Sequence, residues 1–112
     1  MSFSSARAAA ERYVVAVNQR GADLLMELFA PNATLSHPAG TYRGHQEIRN
    51  FYEGLVFRAE TTVAVTRLVA DARVAFAELT GSSPFSPSPT HLVDVFEVDE
   101  DGKIVHLGIY AR

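Results

Sequence analysis

Between residues 5 and 20 the apolar side chains fall at Ala6, Ala9, Ala10, Tyr13, Val14 and Val17. This is the i, i+3, i+4 spacing of a helix with one buried face, and Arg7, Glu11, Arg12 and Asn18 lie largely opposite. Gly21 interrupts the pattern. A second, short helix is predicted over residues 22–29, with Leu24, Leu25, Leu28 and Phe29 inward, and Pro31 stops it. Residues 33–37 read as a short extended piece that Pro38, Ala39 and Gly40 turn. From Gly44 onward Ile48, Phe51, Tyr52 and Leu55 share one face of a third helix.

Beyond Ala59 the period shortens to two. Val63, Val65 and Val69 alternate along one strand, and residues 74–79 form the next after a turn at Asp71 and Ala72. Residues 81–89 carry Pro84, Pro87 and Pro89, which cannot donate to a strand ladder, so an exposed loop is expected there. Residues 91–98 and 103–110 then pair as a hairpin turned by Asp101 and Gly102. Leu92, Asp94 and Phe96 share one face of its first strand; Val105, Leu107 and Ile109 share one face of its second. Three helices before a run of strands predict an α+β fold, in which a strongly curved mixed or antiparallel sheet wraps its concave face around the first helix. Such a sheet is hard to fill with side chains, and a pocket is expected between it and the helices.

A chain of 112 residues suits one compact core, so a single domain over residues 1–112 with one site is expected. A net charge of −3 without any cluster of Lys or Arg argues against nucleic-acid or anionic-lipid partners. No long apolar run predicts a membrane span, and the opening residues lack the layout of an export signal, so a cytoplasmic location is expected. The chain has no cysteine, which removes disulfides, thiolate zinc sites and a cysteine nucleophile. His37, His45, His91 and His106 show no ligand spacing with a carboxylate, and neither a phosphate-binding glycine loop nor Gly-x-Ser-x-Gly is present. Neither a metal nor a cofactor is therefore expected.

Several segments carry a family resemblance in order and spacing. They are residues 11–18 (ERYVVAVN), residues 28–35 (LFAPNATL), Tyr42-Arg43-Gly44 leading into Ile48-Arg49-Asn50-Phe51-Tyr52, Val93-Asp94-Val95-Phe96, and Asp101-Gly102-Lys103-Ile104. Together they resemble ketosteroid isomerases and their SnoaL-like relatives of the NTF2-like superfamily. The resemblance implies a cone-shaped, cystatin-like fold and a small apolar ligand or substrate of steroid or polyketide character. It also implies a homodimer formed through the outer sheet face.

In ketosteroid isomerases a carboxylate base moves a proton between two carbons of a β,γ-unsaturated ketone, while a tyrosine and a protonated aspartic acid hold the dienolate oxygen. By motif the tyrosine is Tyr13, the aspartic acid is Asp94, and Tyr52 supports Tyr13. The base departs from the pattern: where the family has Ala-Thr-Val-Glu-Asp-Pro, this chain has Ala33-Thr34-Leu35-Ser36-His37-Pro38, which puts His37 in the base position. Neutral imidazole is a competent base near neutrality. It must, however, create an imidazolium–enolate pair in a dry site, and an ion pair between His37 and Asp94 at rest would disable both.

Phe51, Tyr52, Leu92, Phe96, Leu107 and Ile109 are the expected substrate-binding residues, and the last four would raise Asp94 far enough above the usual carboxylate pKa of ~3.9 to keep it neutral near pH 7. The leading expectation is a cofactor-free steroid delta-isomerase type of reaction. The alternatives are a non-catalytic binder of small hydrophobic ligands and a SnoaL-like polyketide cyclase.

Overall fold

The computed structural model describes residues 5–111. Residues 1–4, part of the segment read above for an export signal, lie outside the described residues. Among those described, no helix is long and apolar enough to cross a membrane.

Small side chains set how closely α1 (Ser5–Asn18) approaches the sheet. Ala6, Ala9, Ala10 and Ala16 are buried with Tyr13 and Val17. With little more than methyl groups intervening, the helix packs on β3 (Thr62–Ala70), β4 (Val74–Ser82) and β5 (Thr90–Val98). In α2 (Ala22–Leu28) the buried residues are Leu25 and Met26, whereas Leu24 of the predicted inward set is 39% exposed.

Phe29 does not end that helix but begins β1 (Phe29–His37), a longer strand than the expected 33–37. Pro31 is tolerated because it falls in a bulge. Five steps along β1, from Phe29 to Thr34, match only two along β6 (Ile104–Ala111), from Ile104 to His106, so the missing N–H costs no ladder bond.

A strand that the sequence pattern does not mark, β2 (Gly40–Arg43), folds back on β1. Next comes α3 (Gly44–Phe51), shorter than expected. Over Tyr52–Val56 the helix widens, and the Phe57 N–H reaches the Tyr52 carbonyl five residues back at 2.8 Å. Tyr52 stays buried, whereas Leu55, expected on the same face, is 45% exposed.

The six strands run in the order β2-β1-β6-β5-β4-β3. β1 and β6 are parallel and every other pair is antiparallel, so the sheet is mixed. Register places Ala77, Asp94 and Ile109 in one row facing the helices. The next row, Val69, Phe76, Val95 and Gly108, faces away.

Bulges explain two misplaced valines. One between Val65 and Arg67 turns Val69 outward to 59% exposure. Another beside Val98 puts Ile104, not Val105, in the core. The hairpin turn is also longer than an Asp-Gly pair. Asp99 Oδ1 accepts the Asp101 and Lys103 N–H groups at 2.9 Å each, and Gly102 supplies the positive φ of 80° that closes it.

Edge strand β3 is tied down at its start. Asn18, at the end of α1, receives the Val63 N–H at 2.8 Å and donates to the Val63 carbonyl at 3.0 Å, imitating a neighbouring strand. Asn18→Ala strips both partners from a half-buried site. The expected loss is about 1–3 kcal/mol in urea unfolding, and a loss below about 0.5 kcal/mol would contradict this role for the side chain.

Candidate functional site

A cavity of about 240 Å³ opens between the concave sheet face, α1 and the segment after α3. Tyr13 and Val17 enter it from α1, His37 from the end of β1, Phe51 from α3, and Leu92 and Asp94 from β5. Of the residues expected from the sequence, Tyr13, His37, Phe51, Leu92, Asp94 and Ile109 line the cavity together. Tyr52, Phe96 and Leu107 do not; they lie one layer deeper in the core. Phe96 packs edge-on against the Tyr13 ring at 5.1 Å between centroids, so it shapes the cavity through Tyr13.

Asp94 is the one charged residue in the buried core of the described chain, at 1% exposure. Its place is set by strand alternation: Leu92, Asp94 and Phe96 point the same way, and the flanking pairs Ala77 and Ile109 are apolar. Its Oδ1 is fully buried with no hydrogen-bond partner. Burial alone pushes the carboxyl up from 3.8 to about 7. The group is thus divided between acid and carboxylate at neutral pH.

Tyr13 and Tyr52 share a hydrogen bond of 2.6 Å between their hydroxyl oxygens. Burial raises both phenols well above their ordinary value, and the Asp94 charge adds to the rise in each. Both therefore stay neutral. Tyr52 has no place in the cavity wall, so if it donates to Tyr13, the Tyr13 proton is left for a ligand.

His37 is held by its own turn. The Ala39 N–H donates to its Nδ1 at 3.0 Å, which fixes the lone pair there and leaves the neutral ring's proton on Nε2. Partial burial lowers its pKa, and protonation at Nδ1 would also break the bond to Ala39. The ring rests against Phe51 at 4.9 Å between centroids.

The three ion pairs among the described residues are Arg49–Asp23, Arg49–Glu53 and Arg67–Glu78, so the feared His37–Asp94 pair is absent from that set. His45 donates toward the Phe29 carbonyl at 2.9 Å and His106 bonds Thr34 at 2.6 Å, both structural contacts.

Sequence reasoning missed the other end of the cavity. Thr61, Ser82, Ser83, Ser86, Ser88 and Thr90 give it a hydroxyl-lined mouth, and Gly81 leaves it open there. Prolines mark residues 81–89 as a loop, of which Gly81 and Ser82 in fact end β4, but no local signal tells where that loop lies.

The raised Asp94 pKa has a stability consequence of definite sign. The folded state holds a proton that the unfolded state has lost between about pH 4 and pH 7, so Asp94 costs stability progressively across that window. The shift corresponds to about 4 kcal/mol. In urea unfolding, Asp94→Asn is expected to gain about that much relative to the parent between pH 4 and pH 8. A difference that stays flat with pH would contradict a buried, partnerless carboxyl.

The sequence pattern of the SnoaL-like domain matches residues 10–107. No protein of curated function matches the chain in sequence. Among solved structures, a Kribbella flavida protein of suspected ketosteroid isomerase activity superposes with a TM-score of 0.87 at 20% identity, over 98% of this chain and 79% of its own. The epoxide hydrolase/cyclase-like enzyme SalBIII of salinomycin pyran-ring formation gives 0.83 at 24%, over 95% and 89%. RV0760c of Mycobacterium tuberculosis, solved with estradiol-17beta-hemisuccinate, gives 0.83 at 14%, over 95% and 92%. At these identities the likeness speaks for the fold alone. With its cone of three helices on a curved mixed sheet and a sequence match spanning most of its length, the chain belongs to the SnoaL-like family of the NTF2-like fold.

Proposed function

We propose that this protein is a cofactor-free enzyme of the ketosteroid isomerase kind, which moves a proton between two carbons of an enolisable ketone held in the apolar cavity. The observation that carries the reading is Asp94: a carboxyl buried to 1% exposure, without a hydrogen-bond partner at Oδ1, on a cavity wall beside a buried tyrosine pair. A base works best when its pKa lies near the working pH, and about 7 meets that condition.

The roles differ from the sequence expectation. His37 presents Nε2–H rather than a lone pair, so it suits a donor and not the base. Asp94 as carboxylate takes the proton from the carbon next to the carbonyl; the C–H pair moves into the dienolate, and the new O–H proton returns to the γ-carbon. The charge passes from carboxylate to dienolate and back, so the site never has to create an ion pair from neutral groups. Tyr13, backed by Tyr52, and the His37 Nε2–H hold the developing oxyanion. A polyketide cyclase would begin with the same proton abstraction.

The test monitors conjugated-enone absorbance with a β,γ-unsaturated 3-ketosteroid and with a smaller bicyclic β,γ-enone. kcat/KM should rise through a single limb near pH 7 and stay level above it. Asp94→Asn should cost about 100- to 10,000-fold, and Tyr13→Phe about 100- to 1,000-fold. A rate that falls as pH passes 7 would return Asp94 to the donor role and His37 to the base. Binding without turnover of either ketone would make the protein a binder of small hydrophobic ligands.

The same proposal extends to a homodimer through the outer sheet face, supported by Val69, Phe76 and Tyr110, which are 59%, 52% and 57% exposed on that face. Sedimentation should give a dimer that Phe76→Glu converts to monomer; a monomeric parent would contradict it.

A further inference from the structure

With Tyr13 and the His37 Nε2–H taken as the groups that hold the oxygen and Asp94 as the base beside them, a reading on which this inference rests, the hydroxyl-lined mouth bears on the substrate class. Along β5 the cavity-facing residues are Thr90, Leu92 and Asp94, two apart on one face. At ~3.3 Å per residue, Thr90 and Asp94 stand about 13 Å apart along the strand. One strand thus presents a hydroxyl, an apolar side chain and a carboxyl in order. Its neighbour β4 continues the middle and the mouth, with Leu79 opposite Leu92 and Gly81 opposite Thr90.

The mouth hydroxyls are of two kinds. Ser83 donates to the Ala59 carbonyl at 2.6 Å and receives the Phe85 N–H at 3.1 Å, which fastens the loop to the segment after α3. Ser86 donates to the Ser88 carbonyl at 3.1 Å. The hydroxyls of Thr61, Ser82, Ser88 and Thr90 bond to no other described residue. The loop is therefore anchored by one set of hydroxyls, while another set is left at the rim. The cavity volume of about 240 Å³ also lies below the ~300–1,000 Å³ of clefts that enclose drug-sized ligands, which favours a compact body.

We propose that the substrate is a compact amphipathic ketone, with its carbonyl at Tyr13 and the His37 Nε2–H, the neighbouring carbon at Asp94, an apolar body of about two fused rings along Leu92, and a hydroxyl or similar hydrogen-bonding group at its far end that meets Ser88 and Thr90. An apolar body alone fills the middle of the cavity and leaves the rim hydroxyls to water; the far-end group gives them a partner and fixes which end of the substrate enters first.

The experiment uses two fluorescent phenols of nearly equal size, 6-hydroxymethyl-2-naphthol and 6-ethyl-2-naphthol, whose phenolic end stands in for the enolate. Binding to the full chain is measured for the parent, for Tyr13→Phe and for Ser88→Ala with Thr90→Val. The ratio of the two affinities should shift three- to tenfold toward the ethyl compound in the double variant, and Tyr13→Phe should weaken both probes alike. A ratio that moves less than twofold, with both probes still sensitive to Tyr13→Phe, would overturn the polar-end proposal and leave the oxygen-binding site intact. Probes that bind without regard to Tyr13, or fail to bind the parent at all, would overturn both.

Discussion

The site depends on one constraint: a carboxyl has been taken out of water and given nothing to bond. Strand alternation on β5 forces Asp94 inward between Leu92 and Phe96, and its cross-strand neighbours Ala77 and Ile109 offer no donor. A partnerless buried carboxylate is costly, and the cost is relieved when a ligand offers it a hydrogen-bond donor or when the group itself carries a proton. Both the shift in its pKa to about 7 and the proposed chemistry stem from that one placement.

Other features serve to keep that environment dry and shaped. The alanines of α1 bring the helix close enough for Tyr13 to reach the cavity. The widened turn at Tyr52–Val56 keeps Tyr52 buried behind Tyr13, where the 2.6 Å bond between them can fix which proton faces the ligand. The Ala39 N–H does the same for His37 by assigning its tautomer. Asn18 and Ser83 hold the two flanks of the mouth, one at the edge of β3 and one on the loop.

Much of the fold is legible in the sequence because its periods are clean. The stripe of α1 and the shared face of Leu92, Asp94 and Phe96 depend only on local spacing, and both appear as the pattern requires. The errors fall where register is set by a partner strand. Simple alternation places Val69 and Val105 inward, and bulges displace both. Likewise Phe29 and Pro31 look like the end of a helix until the bulge against β6 gives Pro31 a place in a strand. At the site, motif alone points to Tyr13, Asp94 and the Tyr52 support, but Phe96 and Leu107 are core behind the wall. His37, singled out by the same motif, lines the cavity with Tyr13 and Asp94. Its tautomer, which decides what it can do, depends on a backbone N–H two residues away that no spacing rule reveals.

The central claim is that Asp94 titrates near neutrality because it is buried without a partner. A carbon-detected NMR titration of the Asp94 carboxyl, assigned by comparison with Asp94→Asn, tests it directly. The account predicts a midpoint at about pH 7 in the free protein; a midpoint in the ordinary carboxylate range near ~4 would show that water or a donor reaches the group, and the proposed base would lose its physical basis.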